Sequence, residues 1–229
     1  DAEMKAATEF RILYLTDDAM QIMVVPSGAC YNFISKEYKD NWVPGEVADP
    51  EPALPDGWQD DISQTVNKSI TWKLSETNPL DWCNLDGSRM NGWSSPADYP
   101  SWLGTLDASV YKNFSMTLNS DDLTANFVAP DGTKTACTYT LDEKGIYTFS
   151  TDIPSFAVIG WANFSADSNK QLRIMSIEKD ASGAVTGMWL GAKDAVKPEY
   201  TAYHLVPSAG SSTTTDPLKA WKTALIGKT

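Results

Sequence analysis

The sequence predicts an all-β protein, built as an antiparallel β-sandwich with a jelly-roll or lipocalin-like barrel as the alternative. Three observations carry this expectation. Apolar and polar residues alternate at period two from end to end of the 229 residues, sustained 3.6-residue stripes are nearly missing, and turn residues recur about every 8–12 positions. The expected strands cover residues 9–16, 20–25, 31–34, 70–74, 113–118, 123–129, 133–141, 146–150, 156–161, 172–179, 185–190 and 200–206. Hairpin chemistry separates several of them. Ser120-Asp121-Asp122, Pro130-Asp131-Gly132, Asp142-Glu143-Lys144-Gly145 and Asp180-Ala181-Ser182-Gly183 are turn sequences, and all but the first supply Gly where a positive φ is needed.

Two stretches break the rhythm. Residues 39–58 contain the Pro-rich, acidic run 44–55 and read as a stiff extended linker. Residues 75–107 form a long irregular segment, too aromatic for disorder and longer than the ~12–15 residues at which a loop in a compact domain usually has a function. A short helix is expected over 217–225.

An internal repeat accounts for the ends of the chain. Phe10-Arg11-Ile12-Leu13-Tyr14-Leu15 overlays Leu172-Arg173-Ile174-Met175-Ser176-Ile177, an acidic turn follows each, and the third strand of each set carries Tyr31 or Tyr203. Residues 1–38 are then the closing strands of a preceding unit, or a hairpin added to the main domain. Residues 59–207 are one complete unit, and 208–229 a linker and helix that could head a third. The start, Asp1-Ala2-Glu3-Met4-Lys5, reads as a cut end.

Charge and inventory narrow the function. Thirty acidic residues against eighteen Lys and Arg give a net charge of −12, which disfavours nucleic acid and anionic membrane surfaces as partners. No apolar run approaches the ~18 residues of a membrane span. The single histidine, His204, lies in an alternating strand and is read as structural; no nucleophile elbow, metalloprotease helix or phosphate loop accompanies it. No catalytic residue is assigned, although a carboxylate pair for glycoside hydrolysis leaves no trace in spacing. Cys30, Cys83 and Cys137 are an odd number without metal-ligand spacing.

Tryptophan is the positive signal: nine residues, as many as Tyr and more than Phe. Trp72, Trp161 and Trp189 fall in strands and are read as packing. Trp82, Trp93 and Trp102 instead sit among Asp81, Asn84, Asp86, Asn91, Ser94 and Asp98 in the irregular segment. A flat indole stacks on the C–H face of a pyranose while carboxylates and amides hydrogen-bond its hydroxyls, so Trp82, Trp93, Trp102, Asp81, Asn84 and Asn91 are expected to bind an oligo- or polysaccharide. The alternatives are that these indoles only hold a loop over the end of the fold, or that the chain is a structural spacer of a surface protein. No cofactor is expected. The acidic pairs Asp17-Asp18, Asp60-Asp61 and Asp121-Asp122 could ligate a structural Ca²⁺, but none extends into a dedicated calcium loop, and turn chemistry accounts for them.

The hairpin beginning at Phe10, with its turn Leu15-Thr16-Asp17-Asp18-Ala19-Met20, and its counterpart 172–190 followed by Tyr200-Thr201-Ala202-Tyr203, resemble the closing strands of β-sandwich units in surface lipoproteins of gut Bacteroidetes. The units of that family often accompany PKD modules and glycan-utilisation systems. The resemblance implies tandem sandwich units, an extracellular location anchored at the outer membrane, and a place in a glycan-uptake complex. It transfers no binding residue by position. The second copy also departs from the turn motif, carrying Glu178-Lys179-Asp180-Ala181-Ser182-Gly183 in its place.

Overall fold

The computed structural model describes residues 9–25, 27–36, 49–63 and 69–208. The chain folds as two compact units, Asp1–Pro50 and Glu51–Thr229. In the first, β1 (Glu9–Leu15), β2 (Ala19–Val25) and β3 (Cys30–Ile34) form an antiparallel three-stranded sheet with β2 in the middle. Ile22 and Val24, on the central strand, are its buried residues.

The second unit opens on a short helix, α1 (Trp58–Ser63), which buries Trp58. Its strands are β4 (Ser69–Leu74), β5 (Leu80–Asn84), β6 (Ser115–Asn119), β7 (Thr124–Val128), β8 (Lys134–Leu141), β9 (Ile146–Phe149), β10 (Phe156–Ile159), β11 (Ala162–Phe164), β12 (Gln171–Lys179), β13 (Val185–Lys193) and β14 (Glu199–Pro207). Eight of them pair in the order β4-β6-β7-β8-β9-β12-β13-β14, and β14 returns to β4. The antiparallel sheet thus closes on itself as a barrel, so the barrel alternative is realised and not two stacked sheets. Closure leaves its strands without free edges, which a sandwich would have to protect. The interior of so small a barrel is filled by side chains. Phe127, Tyr147, Phe149, Leu172, Ile174, Met188, Leu190, Tyr203 and Leu205 are all buried there in one apolar cluster.

β14 also explains a strand that alternation does not reveal. Its end pairs with β4 (Leu205 opposite Leu74) and its beginning with β5 (Tyr203 opposite Leu80). β4 and β5 are one broken strand, interrupted by residues 75–79 opposite His204. The Ser75 N–H donates to the His204 carbonyl and the His204 N–H to the Pro79 carbonyl, each at 2.9 Å. The irregular segment expected over 75–107 therefore contains a barrel-wall extension. The expected single strand 156–161 is likewise a hairpin, β10 turning at Gly160-Trp161 into β11.

The linker expectation is corrected at its end. Glu51 bonds Lys144 at 2.7 Å and lies 3.5 Å from Arg173, Pro52 is buried, and Leu54 packs against the core, so residues 51–58 belong to the barrel unit. The expected helix at 217–225 lies outside the described residues. Cys30, Cys83 and Cys137 are all free thiols.

Candidate functional site: a tryptophan platform

Trp82 stands on β5, Trp102 in the turn 100–103, and Trp161 at the tip of the β10–β11 hairpin. Three segments far apart in sequence thus bring their indoles together. Trp82 lies 6.4 Å from Trp102 and 5.8 Å from Trp161, ring centre to ring centre. Trp102 and Trp161 are 6.3 Å apart and inclined by only 25°, and they are 62% and 63% exposed. Trp82, half-buried, forms the floor between them.

Two glycines make the approach of the segments possible. Gly160 has φ +53°, and a Cβ there would overlap the carbonyl of Leu103. Gly104 has φ +120°, with its would-be Cβ 3.3 Å from the Gly160 Cα. The backbone of the Trp102 turn therefore rests directly on the Trp161 hairpin, a close contact only glycine permits. Leu103, fully buried, anchors the turn from below. The hairpin is held in turn by Phe164, whose ring packs 4.7 Å from Phe114 and 4.8 Å from Tyr203, and by the Tyr203 hydroxyl donating to the Asn163 carbonyl at 2.7 Å.

A hollow of about 290 Å³ adjoins the platform on the Trp161 side. Asn163, Ser165, Asp167, Lys193, Asp194 and Thr201 supply its polar lining. Asp194 is fixed by the backbone N–H groups of Lys197 and Val196, both donating to its Oδ1 at 2.8 Å, which holds its carboxyl below the usual range. Thr201 lies directly across the sheet from Trp82.

The residues expected to bind a ligand are divided by the structure. Trp82 and Trp102 are in the platform. Trp93 is only 8% exposed; it packs edge-on against Trp82 at 5.9 Å and against Tyr99 at 4.8 Å, and so supports the platform from inside. Asp81 is fully buried and its oxygens are occupied. Oδ1 accepts from the Trp82 N–H at 2.7 Å and from the Asn91 amide at 2.8 Å, and Oδ2 accepts from the Gly92 N–H at 2.9 Å. Asp81 and Asn91 therefore pin the loop to β5, and both Asp81 and Trp93 are buried. Asn84 is tied to Ser88 in the following turn at 2.9 Å. Tyr99 clamps the same loop, accepting from the Leu80 N–H and donating to the Leu80 carbonyl; burial pushes its phenol up to about 12. Asp98 caps the turn ahead of it through the N–H groups of Ser94 and Ser95, and those bonds hold its carboxyl low.

The reading of Trp161 as packing is overturned by its exposure, whereas Trp72 and Trp189 are core residues. One signal marked it: Gly160-Trp161 is a two-residue, Gly-first hairpin turn, which throws its second side chain outward. His204 is structural. Trp189 stacks on it at 4.6 Å and 3°, Asn78 Oδ1 lies 2.9 Å from its Nδ1, and Glu178 Oε2 lies 3.2 Å from its Nε2, off the line of a full hydrogen bond. The contact with His204 pulls the Glu178 carboxyl down to about 2, with the Trp189 N–H assisting.

Among the described residues, no group of three or more His, Cys, Asp or Glu side chains is arranged to hold a metal ion. Of the acidic pairs, Asp61 is engaged by Lys179, Asp122 accepts from the Thr124 N–H and hydroxyl, and Asp18 accepts from Ser35. No described helix is long and apolar enough to cross a membrane. No protein-family model and no curated protein matches the chain.

Proposed function

We propose that the barrel unit is a non-catalytic carbohydrate-binding module that holds a neutral oligo- or polysaccharide across Trp102 and Trp161. The observation that supports this reading is the pair itself. Two indoles, each more than three-fifths exposed and nearly parallel, are held side by side at an energetic disadvantage in water unless something covers them. Aromatic faces suit the apolar C–H faces of successive sugar rings, and the adjoining Asn163, Ser165, Asp194 and Thr201 can exchange hydrogen bonds with the hydroxyls. The barrel interior is filled, so the ligand is read at the rim and not in a lumen. A net charge of −12 suits uncharged glycans. With the resemblance of the Phe10–Met20 hairpin, the same reading puts the protein at a cell surface, in the service of glycan uptake.

Tryptophan fluorescence tests the reading. Acrylamide reaches Trp102 and Trp161 in the free protein, and a bound glycan should shield them, lowering the quenching constant as the glycan is titrated. Unchanged quenching with every glycan that is retained by the protein would place binding elsewhere.

A further inference from the structure

The placement of the two exposed indoles restricts the shape of the chain they can hold. A sugar ring gripped between two facing indoles needs about 7–8 Å between their planes, two carbon contacts of about 3.5–4.0 Å each. Trp102 and Trp161 lie only 6.3 Å apart from centre to centre, so no slot opens between them and each must take a ring of its own. That distance is also the length scale of one sugar residue, so the rings they take are neighbours in one chain. A sugar stacks with its mean plane parallel to the indole beneath it. Since the two indoles are inclined by only 25°, the two neighbouring sugars must lie nearly parallel as well.

The inclination is built into the backbone and does not await a ligand. The Trp102 turn meets the Trp161 hairpin at Gly104 and Gly160, where a Cβ on the first would lie 3.3 Å from the Gly160 Cα and a Cβ on the second would overlap the Leu103 carbonyl. Leu103 is buried below the turn, and Phe156 and Phe164, stacked at 5.2 Å, root both strands of the hairpin against Phe114. A rigid pair selects among chain shapes, because a chain whose rings do not match it gives up one of the two contacts. Trp82 does not relax this demand: it is half-buried and tilted by 40° and 41° from its two neighbours.

Pyranose stereochemistry decides which chains comply. Where both bonds of every ring are equatorial, as in a cellulose- or xylan-type chain, the chain is a flat ribbon with adjacent rings nearly parallel. Rings of glucose or xylose configuration then carry axial C–H bonds on both faces, so alternate rings, turned over along the ribbon, present equivalent apolar faces. Where one bond of each ring is axial, as in starch, the chain turns at every linkage and coils, and adjacent rings are steeply inclined. We infer, resting on the glycan reading above, that the platform selects ribbon-shaped, all-equatorial chains of glucose or xylose and rejects coiled, axially linked glucans. The hollow beyond Trp161, with Asn163, Ser165 and Thr201 in its lining, meets the hydroxyls of the next ring along.

Titration calorimetry of the full chain with cellohexaose and with maltohexaose, a flat and a coiled chain of the same sugar and length, provides the test. Cellohexaose should bind at least about tenfold more tightly, the scale of one anchoring aromatic contact forfeited by the coiled chain. In Trp102→Ala and in Trp161→Ala that preference should collapse toward equality, because a lone indole cannot read the angle between two rings. Equal or tighter binding of maltohexaose that both substitutions abolish would overturn the inference and leave the glycan reading standing. A parent preference that persists undiminished in both variants would overturn it as well, by moving the selection away from the pair. If neither sugar binds, the inference falls, and the glycan reading falls with it only when the folded parent also passes unretarded through gels of every other polysaccharide.

Discussion

Trp93 and Trp102 lie nine positions apart in one loop, yet they do opposite work. Trp93 is buried between Trp82 and Tyr99, so Trp93→Ala leaves a cavity under the platform and should cost about 3–5 kcal/mol, read as a lowered denaturation midpoint. Trp102→Ala removes an exposed ring and should change stability by no more than about 0.5 kcal/mol. Glu178 carries the pH signature of the outer wall. Its carboxyl falls from an ordinary 4.5 to about 2 in the fold, so its contribution is complete above pH 4.5 and is lost as pH falls toward 2. Glu178→Gln should therefore be less stable than the parent at neutral pH, with the gap narrowing in urea titrations taken from pH 4.5 down to pH 2. The burial of Trp93 was not legible in the sequence, and the exposure of Trp161 was legible only in the Gly-first turn Gly160-Trp161. Polar neighbours surround Trp93 because Asp81 and Asn91 serve the loop backbone, and Trp161 follows an apolar run because the hairpin behind it is anchored in the core.

At the scale of elements, the platform depends on how closely the turn 100–104 rests on the β10–β11 hairpin. Gly160→Ala forces a left-handed conformation on an L-residue and drives its methyl into the Leu103 carbonyl. The strain of about 1–3 kcal/mol should be relieved by separating the two segments, and with them Trp102 from Trp161. Glycan affinity should fall while far-ultraviolet circular dichroism stays that of the parent; retained affinity would show that the platform does not need this contact. Strands themselves were legible, since alternation and turn chemistry are local: each expected strand corresponds to a strand in the structure, with bounds shifted by a few residues. β5 escaped because Leu80, Asp81 and Cys83 are all buried, so its burial does not alternate, and a buried Asp is not a pattern any periodicity registers.

For the whole molecule, closure decides between sandwich and barrel. A meander of alternating strands suits either, and what selects the barrel is that β14 is nine residues long, enough to pair with β13 on one side and with both β4 and β5 on the other. Such a choice is made by pairing across more than a hundred residues of sequence and leaves no local mark. The interior that follows from closure is filled by side chains, and the proposed glycan is therefore sought outside it, where the tryptophans from three segments converge. The central claim is therefore that Trp102 and Trp161 together hold a glycan. Affinity electrophoresis through gels containing a panel of neutral polysaccharides measures it most directly, comparing the parent with Trp102→Ala, Trp161→Ala and the double variant. Each single change should weaken retardation about tenfold, the ~1.4 kcal/mol scale of an anchoring aromatic, and the double variant should run as in a gel without polysaccharide. Undiminished retardation of a folded double variant would contradict the account.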